Sequence, residues 1–160
     1  MAAPVSSRCG SWISPLGAAD LAGAALRLSG VSFADDGSIF WVEGRPSEGG
    51  RSVLVCRGSD GAASDLTPPP LSVRTRVHES GSAAYAVHEG GVFFVNDADQ
   101  RIYHLPKGGA AQPLTAAGPW RFADLSVDDR RARLLAVGER HHPDGRQSVN
   151  AIVSVELSRG

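Results

Sequence analysis

The chain has 160 residues, of which 42% are hydrophobic and 21% charged, and its formal net charge is −1. This composition is typical of a soluble globular protein. The near-neutral charge argues against a broad basic surface for nucleic acid or an anionic membrane. No segment approaches the roughly 18 apolar residues of a transmembrane helix, and the N-terminus lacks the apolar run of a signal peptide. We therefore expect a cytoplasmic protein with neither nucleic acid nor a membrane as a partner.

The N-terminal part, residues 1–27, is predicted to be a loose leader followed by a short helix or turn. The alanines and leucines of residues 15–28 have the loosely helical spacing on which this prediction rests. Only two cysteines occur, Cys9 and Cys56, which are too few for a disulfide framework. Cys56 lies within a predicted strand, where a thiol usually acts as a small apolar filler.

A strand pattern recurs three times along the remaining chain. Its first strand reads SIFWVEG at 38–44, GVFFVND at 91–97 and ARLLAVGE at 132–139, and a second apolar strand follows each after a turn-rich gap. Self-similarity at about 40–50 residues, with several short strands per unit, is typical of β-propeller blades. The pattern predicts an all-β partial β-propeller of about three four-stranded blades, at residues 28–70, 71–118 and 119–160, the last incomplete.

The repeated first strands carry apolar side chains at consecutive positions. Such runs are expected where both faces of a strand are covered, as in a blade that lies between two neighbours. We therefore predict burial between blades for Phe40, Trp41, Phe93, Phe94, Leu134 and Leu135. The last blade is the exception, because its outer face has no neighbour in this chain, so exposure of Leu134 or Leu135 is expected in a monomer.

Few residues suggest a catalytic or metal-binding function. No serine lies in the G-x-S-x-G arrangement of α/β-hydrolases, so we assign no catalytic residue. The cluster of Glu139, His141, His142 and Asp144 suggests a metal site, but it surrounds a predicted hairpin tip and adjacent strand residues point to opposite faces. A solvated loop is the favoured interpretation. We expect no metal ion and no other cofactor.

The segment RTRVHE at 74–79 differs from the other polar segments. It places Arg74, Arg76, His78 and Glu79 where a polar connection enters the inner strand of the second unit. Inner strands of propellers line the central channel, so these four residues are candidate substrate contacts. Ion pairing between neighbouring blades is the alternative, and the favoured one.

Several segments together resemble a known family. They are, in chain order, SPLGAADLA, VEGRPSEGGRSVLV, DLTPPPLSVRTRVHE, NDADQRIYHLP and NAIVSVEL. They resemble the N-terminal β-propeller of prolyl oligopeptidase-family serine peptidases, of the acylaminoacyl-peptidase or dipeptidyl-aminopeptidase type. The resemblance covers residues 11–157. Family members usually continue VHE with a tyrosine and glycines, where this chain has Ser80, Gly81, Ser82 and Ala83.

The resemblance implies a non-catalytic role for this chain. The family's serine, aspartate and histidine lie in a C-terminal α/β-hydrolase domain, which nothing here matches, so the chain alone is expected to be inactive. The resemblance implies that the whole propeller caps and gates that active site, restricts access to short peptides and unstructured ends, and contributes contacts to the N-terminal side of the substrate. The implied partners are thus the peptide substrate and the hydrolase domain of a full-length parent. The alternative is a stand-alone binding or assembly module that self-associates through open blade edges.

Overall fold

The computed structural model describes Arg8, Gly17 and residues 25–78 and 83–157. These residues form three antiparallel sheets and two single-turn 3-10 helices, Pro46–Glu48 and Asp129–Arg131. The described part of the chain contains no helix with the length and hydrophobicity that a membrane crossing requires. Most of the predicted N-terminal helix or turn at 15–28 lies outside the described residues. Where its end is described, Arg27 already belongs to a strand.

The first sheet contains four strands in chain order. They are β1 (Arg27–Phe33), β2 (Ile39–Arg45), β3 (Arg51–Arg57) and β4 (Ala63–Asp65). A turn that contains Asp36 and Gly37 joins β1 to β2. Gly37 has a φ of 82° in this turn, a backbone conformation that glycine adopts without steric cost.

The second and third sheets repeat the arrangement. The second contains β5 (Tyr85–His88), β6 (Gly91–Val95), β7 (Ile102–Leu105) and β8 (Gln112–Pro113). The third contains β9 (Trp120–Asp128), β10 (Arg133–Arg140) and β11 (Val149–Glu156). Within the described residues the third sheet thus has three strands where the others have four. The predicted all-β partial propeller with an incomplete last blade is confirmed.

The second sheet is covered on both faces. Phe94 belongs to the apolar core shared with the first sheet, and its neighbour Phe93 belongs to the core shared with the third. Consecutive strand residues point to opposite faces, so the two phenylalanines fill two different cores. This arrangement explains why the strand sequence GVFFV is apolar throughout, instead of alternating apolar and polar residues.

The burial predictions are confirmed for the two phenylalanines of the second sheet and for the side chains of the outer sheets that face it. Phe40, Phe93, Phe94 and Leu134 are buried, with exposures of 2%, 4%, 0% and 0%. The prediction was wrong for Trp41, which is only partly buried, whereas the partial burial of Leu135 agrees with the exception expected for the last blade. These two residues lie one position along from Phe40 and Leu134, on the faces of the outer sheets that point away from the second sheet.

The first and third sheets also carry exposed apolar side chains. On β1, Leu28, Val31 and Phe33 are 63%, 61% and 72% exposed, and on β11 Ile152 is 74% exposed. Contiguous exposed apolar surface usually marks a contact with another protein surface. Val31 and Phe33 line clefts between the first two sheets, whereas Ile152 gives the outer face of the third sheet the character of an interface.

Candidate functional site

A single polypeptide segment ties the three sheets together at one end. This linker segment, residues 71–78, leads from the first sheet toward β5 and crosses the ends of all three sheets. It is attached to each sheet by a hydrogen bond: Val73 N donates to Ser52 O at 2.8 Å, Arg74 N to Val95 O at 3.0 Å, and Thr75 Oγ1 to Phe122 O at 2.6 Å. The linker is therefore held at a fixed position at this end of the stack.

Burial alternates along the linker segment. Val73, Thr75 and Val77 are buried, with exposures of 2%, 3% and 0%, whereas Arg74, Arg76 and His78 are exposed. An alternation of period two is expected of an extended chain lying on a surface. The structure thus brings three of the four candidate residues to the same exposed side. The fourth, Glu79, lies outside the described residues.

The guanidinium of Arg76 is engaged within the protein. Its Nε lies 2.9 Å from Oδ1 of Asp97, in the turn between β6 and β7. Gln100 supports the same turn, because its Oε1 accepts a hydrogen bond from Arg76 N at 2.8 Å and its Nε2 donates to Asp97 O at 3.0 Å. Both residues of this ion pair belong to the predicted unit at 71–118, so it is not a pair between neighbouring blades, and an exposed pair of this kind contributes only about 0–1 kcal/mol.

The guanidinium of Arg74 has a different environment. It lines a cleft of about 820 Å³ between the linker segment, β1 and the start of β5. Within the described residues its side chain makes no ion pair or hydrogen bond. Arg74 is thus available to a ligand in a way that Arg76 is not.

His78 ends the described part of the linker beside the third sheet. Its backbone has a φ of 52°, and its N lies 3.4 Å from Oε2 of Glu139. Arg121, on β9, donates from Nη1 to Arg76 O at 3.3 Å. The sequence interpretation had assigned Glu139 to a solvated loop. That was wrong for this residue, which is 9% exposed, because β10 continues to Arg140 and holds Glu139 against the linker segment.

Glu139 also lies close to two other polar side chains, those of His141 and Ser148. His141 Nε2 lies 3.3 Å from Glu139 Oε2 without a hydrogen bond between them, and Ser148 Oγ lies 3.4 Å from His141 Nδ1. An activated serine needs a base within about 2.6–3.2 Å, and in Ser-His-Asp triads it is Nε2 of the histidine that contacts the serine. These three residues therefore do not form a catalytic triad.

Ion pairs neutralise Arg45 and Arg51 at the corresponding end of the first sheet. Arg45 contacts Glu43, Glu48 and Asp65, and Arg51 contacts Glu48. Arg51 and Arg45 lower the pKa of Glu48, and Arg45 lowers that of Asp65. These carboxylates thus stay charged and keep their arginines engaged at neutral pH.

The three sheets are similar to part of several solved peptidases. A puromycin-hydrolysing peptidase of Mycobacterium tuberculosis matches with a TM-score of 0.80 and 36% sequence identity over 92% of this chain. Puromycin hydrolase, and a mutant of it complexed with PGG, match with TM-scores of 0.78 and 0.76 and 31% identity over the same share. In each case the match covers 24% of the solved protein. The chain thus spans about a quarter of the length of these peptidases.

No protein-family model matches the chain, and no curated protein sequence does. The structural matches nevertheless identify its relatives, because the puromycin-hydrolysing peptidases are members of the prolyl oligopeptidase family. The family resemblance found in the sequence is confirmed. The chain is related to the prolyl oligopeptidase-family serine peptidases, and its three sheets correspond to part of their N-terminal β-propeller.

Proposed function

We propose that this chain supplies blades of a propeller that caps the active site of an α/β-hydrolase domain in a serine peptidase. In this role the blades restrict the active site to short peptides, as expected of an enzyme of the acylaminoacyl-peptidase or dipeptidyl-aminopeptidase type. The chain itself contributes walls and substrate contacts, and the hydrolase domain contributes the nucleophile.

The observation that supports this proposal most strongly is the match of all three sheets together to a peptidase at a TM-score of 0.80. The packing supports it as well. A gate has to be stiff enough to exclude large substrates, and the second sheet is fixed between two cores. The linker segment is hydrogen-bonded to all three sheets, which further limits their relative movement.

Within this function we propose that Arg74, Arg76, His78 and Glu79 face the channel and contact the peptide. The shared exposed side of Arg74, Arg76 and His78 supports this role. Because Arg76 is paired with Asp97, its contribution to binding is expected to be weaker than that of Arg74.

A chimera tests the capping role. In this propeller chimera, residues 25–157 replace the matching quarter of the M. tuberculosis puromycin-hydrolysing peptidase. We expect it to hydrolyse a short chromogenic peptide substrate and to leave the internal peptide bonds of an unfolded protein such as reduced casein intact. A folded chimera that degrades both at comparable rates would contradict gating.

Substitutions in the linker segment test the substrate contacts. In the propeller chimera, Arg74→Gln should raise KM for the short substrate. Arg57→Gln, which removes an exposed arginine at the opposite end of β3, should leave KM unchanged. Equal KM values for both variants and the unsubstituted chimera would remove Arg74 from the binding site while leaving the capping role intact.

The exposed apolar residues on β11 favour one alternative, a stand-alone assembly module. In that case the outer face of the third sheet, which carries Ile152, would meet the same face of a second copy of the chain. Static light scattering over a concentration series would then show a dimer that Ile152→Lys dissociates. A chain that stays monomeric throughout the series would overturn this alternative.

A further inference from the structure

The cleft beside Arg74 has an unusual composition. It is bounded by β1, the start of β5, the linker segment and the turn between β2 and β3. Its volume of about 820 Å³ lies within the range of roughly 300–1,000 Å³ that is typical of small-ligand sites. It is therefore large enough to accept two or three residues of a peptide.

Among the residues that the structure describes, the charged ones that line this cleft are all positive. Arg27 and Arg74 line it, and none of the lining residues is an aspartate or glutamate. A smaller cleft between the same two sheets has the opposite character, since Asp35, Asp36 and Glu89 line it with Lys107 as its only lysine or arginine. The gap between the first two sheets thus has a basic opening on one side and an acidic opening on the other.

Neither arginine of the basic cleft is neutralised by the part of the chain that the structure describes. The side chains of Arg27 and Arg74 make no hydrogen bond or ion pair with the residues at 25–78 and 83–157. The nearby Arg45 and Arg51, by contrast, are both paired with carboxylates. Two arginines that line one concave site and have no partner at 25–78 or 83–157 favour an anion, and the planar guanidinium fork matches the two oxygens of a carboxylate.

The wall of the cleft provides additional polar groups. The hydroxyl-bearing residues Ser29, Ser32 and Ser52 line it. Ser29 and Ser32 flank a bulge in β1, where the pairing with β2 shifts register. Bulges are over-represented next to binding sites, because they redirect side chains and interrupt regular pairing.

We propose that this cleft binds a carboxylate group of a peptide through Arg27 and Arg74. The carboxylate is supplied either by an acidic side chain or by the peptide's C-terminus, since the recognition chemistry is the same. The inference rests on the proposed function only in taking the ligand to be a peptide. It adds Arg27 to the site and gives the site a preference for anionic ligands.

Binding of three blocked tripeptides to the intact chain tests this inference. Acetyl-Ala-Ala-Glu-amide carries only a side-chain carboxylate, acetyl-Ala-Ala-Ala carries only a terminal one, and acetyl-Ala-Ala-Gln-amide carries neither. Titrations are followed by NMR shifts of the isotope-labelled chain at low salt. We expect at least one carboxylate peptide to bind about tenfold or more tightly than the neutral peptide, as one charge-assisted pair allows. Which carboxylate peptide binds identifies the source of the carboxylate.

Substitutions inside and outside the cleft test whether the carboxylate peptides bind there. The double variant Arg27→Gln with Arg74→Gln should lose the preference for the carboxylate peptides. Arg57→Gln should keep it, although it removes the same kind of charge from the same sheet. Both cleft arginines are exposed, so circular dichroism should show unchanged folding.

Three results would overturn the inference. They are equal binding of all three peptides or of none, retention of the preference in the double variant, and loss of the preference in Arg57→Gln as well. The peptide titrations use the isolated chain, so their result does not depend on whether the propeller chimera gates its substrates. A chimera that gates substrates while the chain shows no carboxylate preference would refute the cleft assignment alone. A carboxylate preference in the chain beside a chimera that does not gate would refute the capping role alone.

Discussion

Tyr85, at the start of the second sheet, donates a hydrogen bond from its hydroxyl to the carbonyl oxygen of Phe40 in the first sheet, at 3.1 Å. The carbonyl of Gly30, at the β1 bulge, also accepts from the same hydroxyl. Burial raises the pKa of Tyr85, so the hydroxyl remains protonated and able to donate. The Tyr85 side chain thus connects β5 of the second sheet to β1 and β2 of the first sheet.

Removing this hydroxyl should weaken the contact between the first two sheets. We expect Tyr85→Phe to lower the free energy of unfolding by about 1 kcal/mol, since the ring still fills the core but two carbonyls lose their donor. Urea denaturation measures the difference. Tyr103→Phe is the control, because the Tyr103 hydroxyl bonds to Asp99 in an exposed position and its loss should cost less. Equal effects of the two substitutions would show that the buried hydrogen bond contributes no more than the exposed one.

The hydroxyl of Thr75 should be similarly important for attaching the linker segment to the third sheet. It donates to Phe122 O at 2.6 Å and accepts from Val77 N at 3.1 Å in a buried site. Thr75→Val leaves both backbone groups without a partner, so we expect a loss of about 1–3 kcal/mol in unfolding free energy. Thr75→Ser keeps the hydroxyl and should cost less. A serine variant as unstable as the valine variant would assign the effect to the methyl group instead.

Core packing of the second sheet makes a quantitative prediction. Phe94 is fully buried, so Phe94→Ala should cost about 3–5 kcal/mol of unfolding free energy. Phe33 is 72% exposed, and Phe33→Ala should change stability by no more than about 0.5 kcal/mol in the isolated chain. A loss below about 1 kcal/mol for Phe94→Ala would mean that this face of the second sheet is not closely packed.

Stability should fall in acid because several carboxylates have lowered pKa values. The backbone N–H of Ser38 and the ammonium of Lys107 lower the pKa of Asp36 to about 2, and Arg133 lowers that of Asp128. A carboxylate whose pKa is lower in the folded state stabilises the fold above its ordinary pKa, 3.8 for these aspartates. That stabilisation is lost as the pH falls through the folded value.

The urea midpoint should therefore decrease between about pH 4 and pH 2. Asp36→Asn cannot titrate, so its midpoint should decrease less steeply over the same interval. Parallel curves for the variant and the unsubstituted chain would show that Asp36 contributes nothing to the acid sensitivity.

The fold was largely predictable because its signal is local. The run Val92–Phe93–Phe94 is apolar at consecutive positions, and only a strand covered on both faces requires that pattern. Trp41 and Leu135 sit in similar runs but are only partly buried. The sequence pattern does not distinguish a strand in the middle of the stack from one at its end.

The candidate site was less predictable because its properties depend on contacts between residues that are far apart in the sequence. Arg74 and Arg76 look equivalent in the sequence, but Asp97 pairs with Arg76 only because the β6–β7 turn reaches the linker segment. Arg27 carried no signal at all, since its position beside Arg74 follows from the packing of the first sheet against the second. Local pattern cannot report such relationships between residues far apart in the chain.

If these sheets are consecutive blades of a propeller, further blades lie beside them in the complete protein. Ile152 tests this arrangement most directly, because it is 74% exposed in this chain but would face the next blade in the propeller chimera. We predict that Ile152→Lys changes the unfolding free energy of the isolated chain by no more than about 0.5 kcal/mol and destabilises the chimera by at least about 2 kcal/mol, because a charge is then buried. Equally small effects in the two proteins would contradict this arrangement.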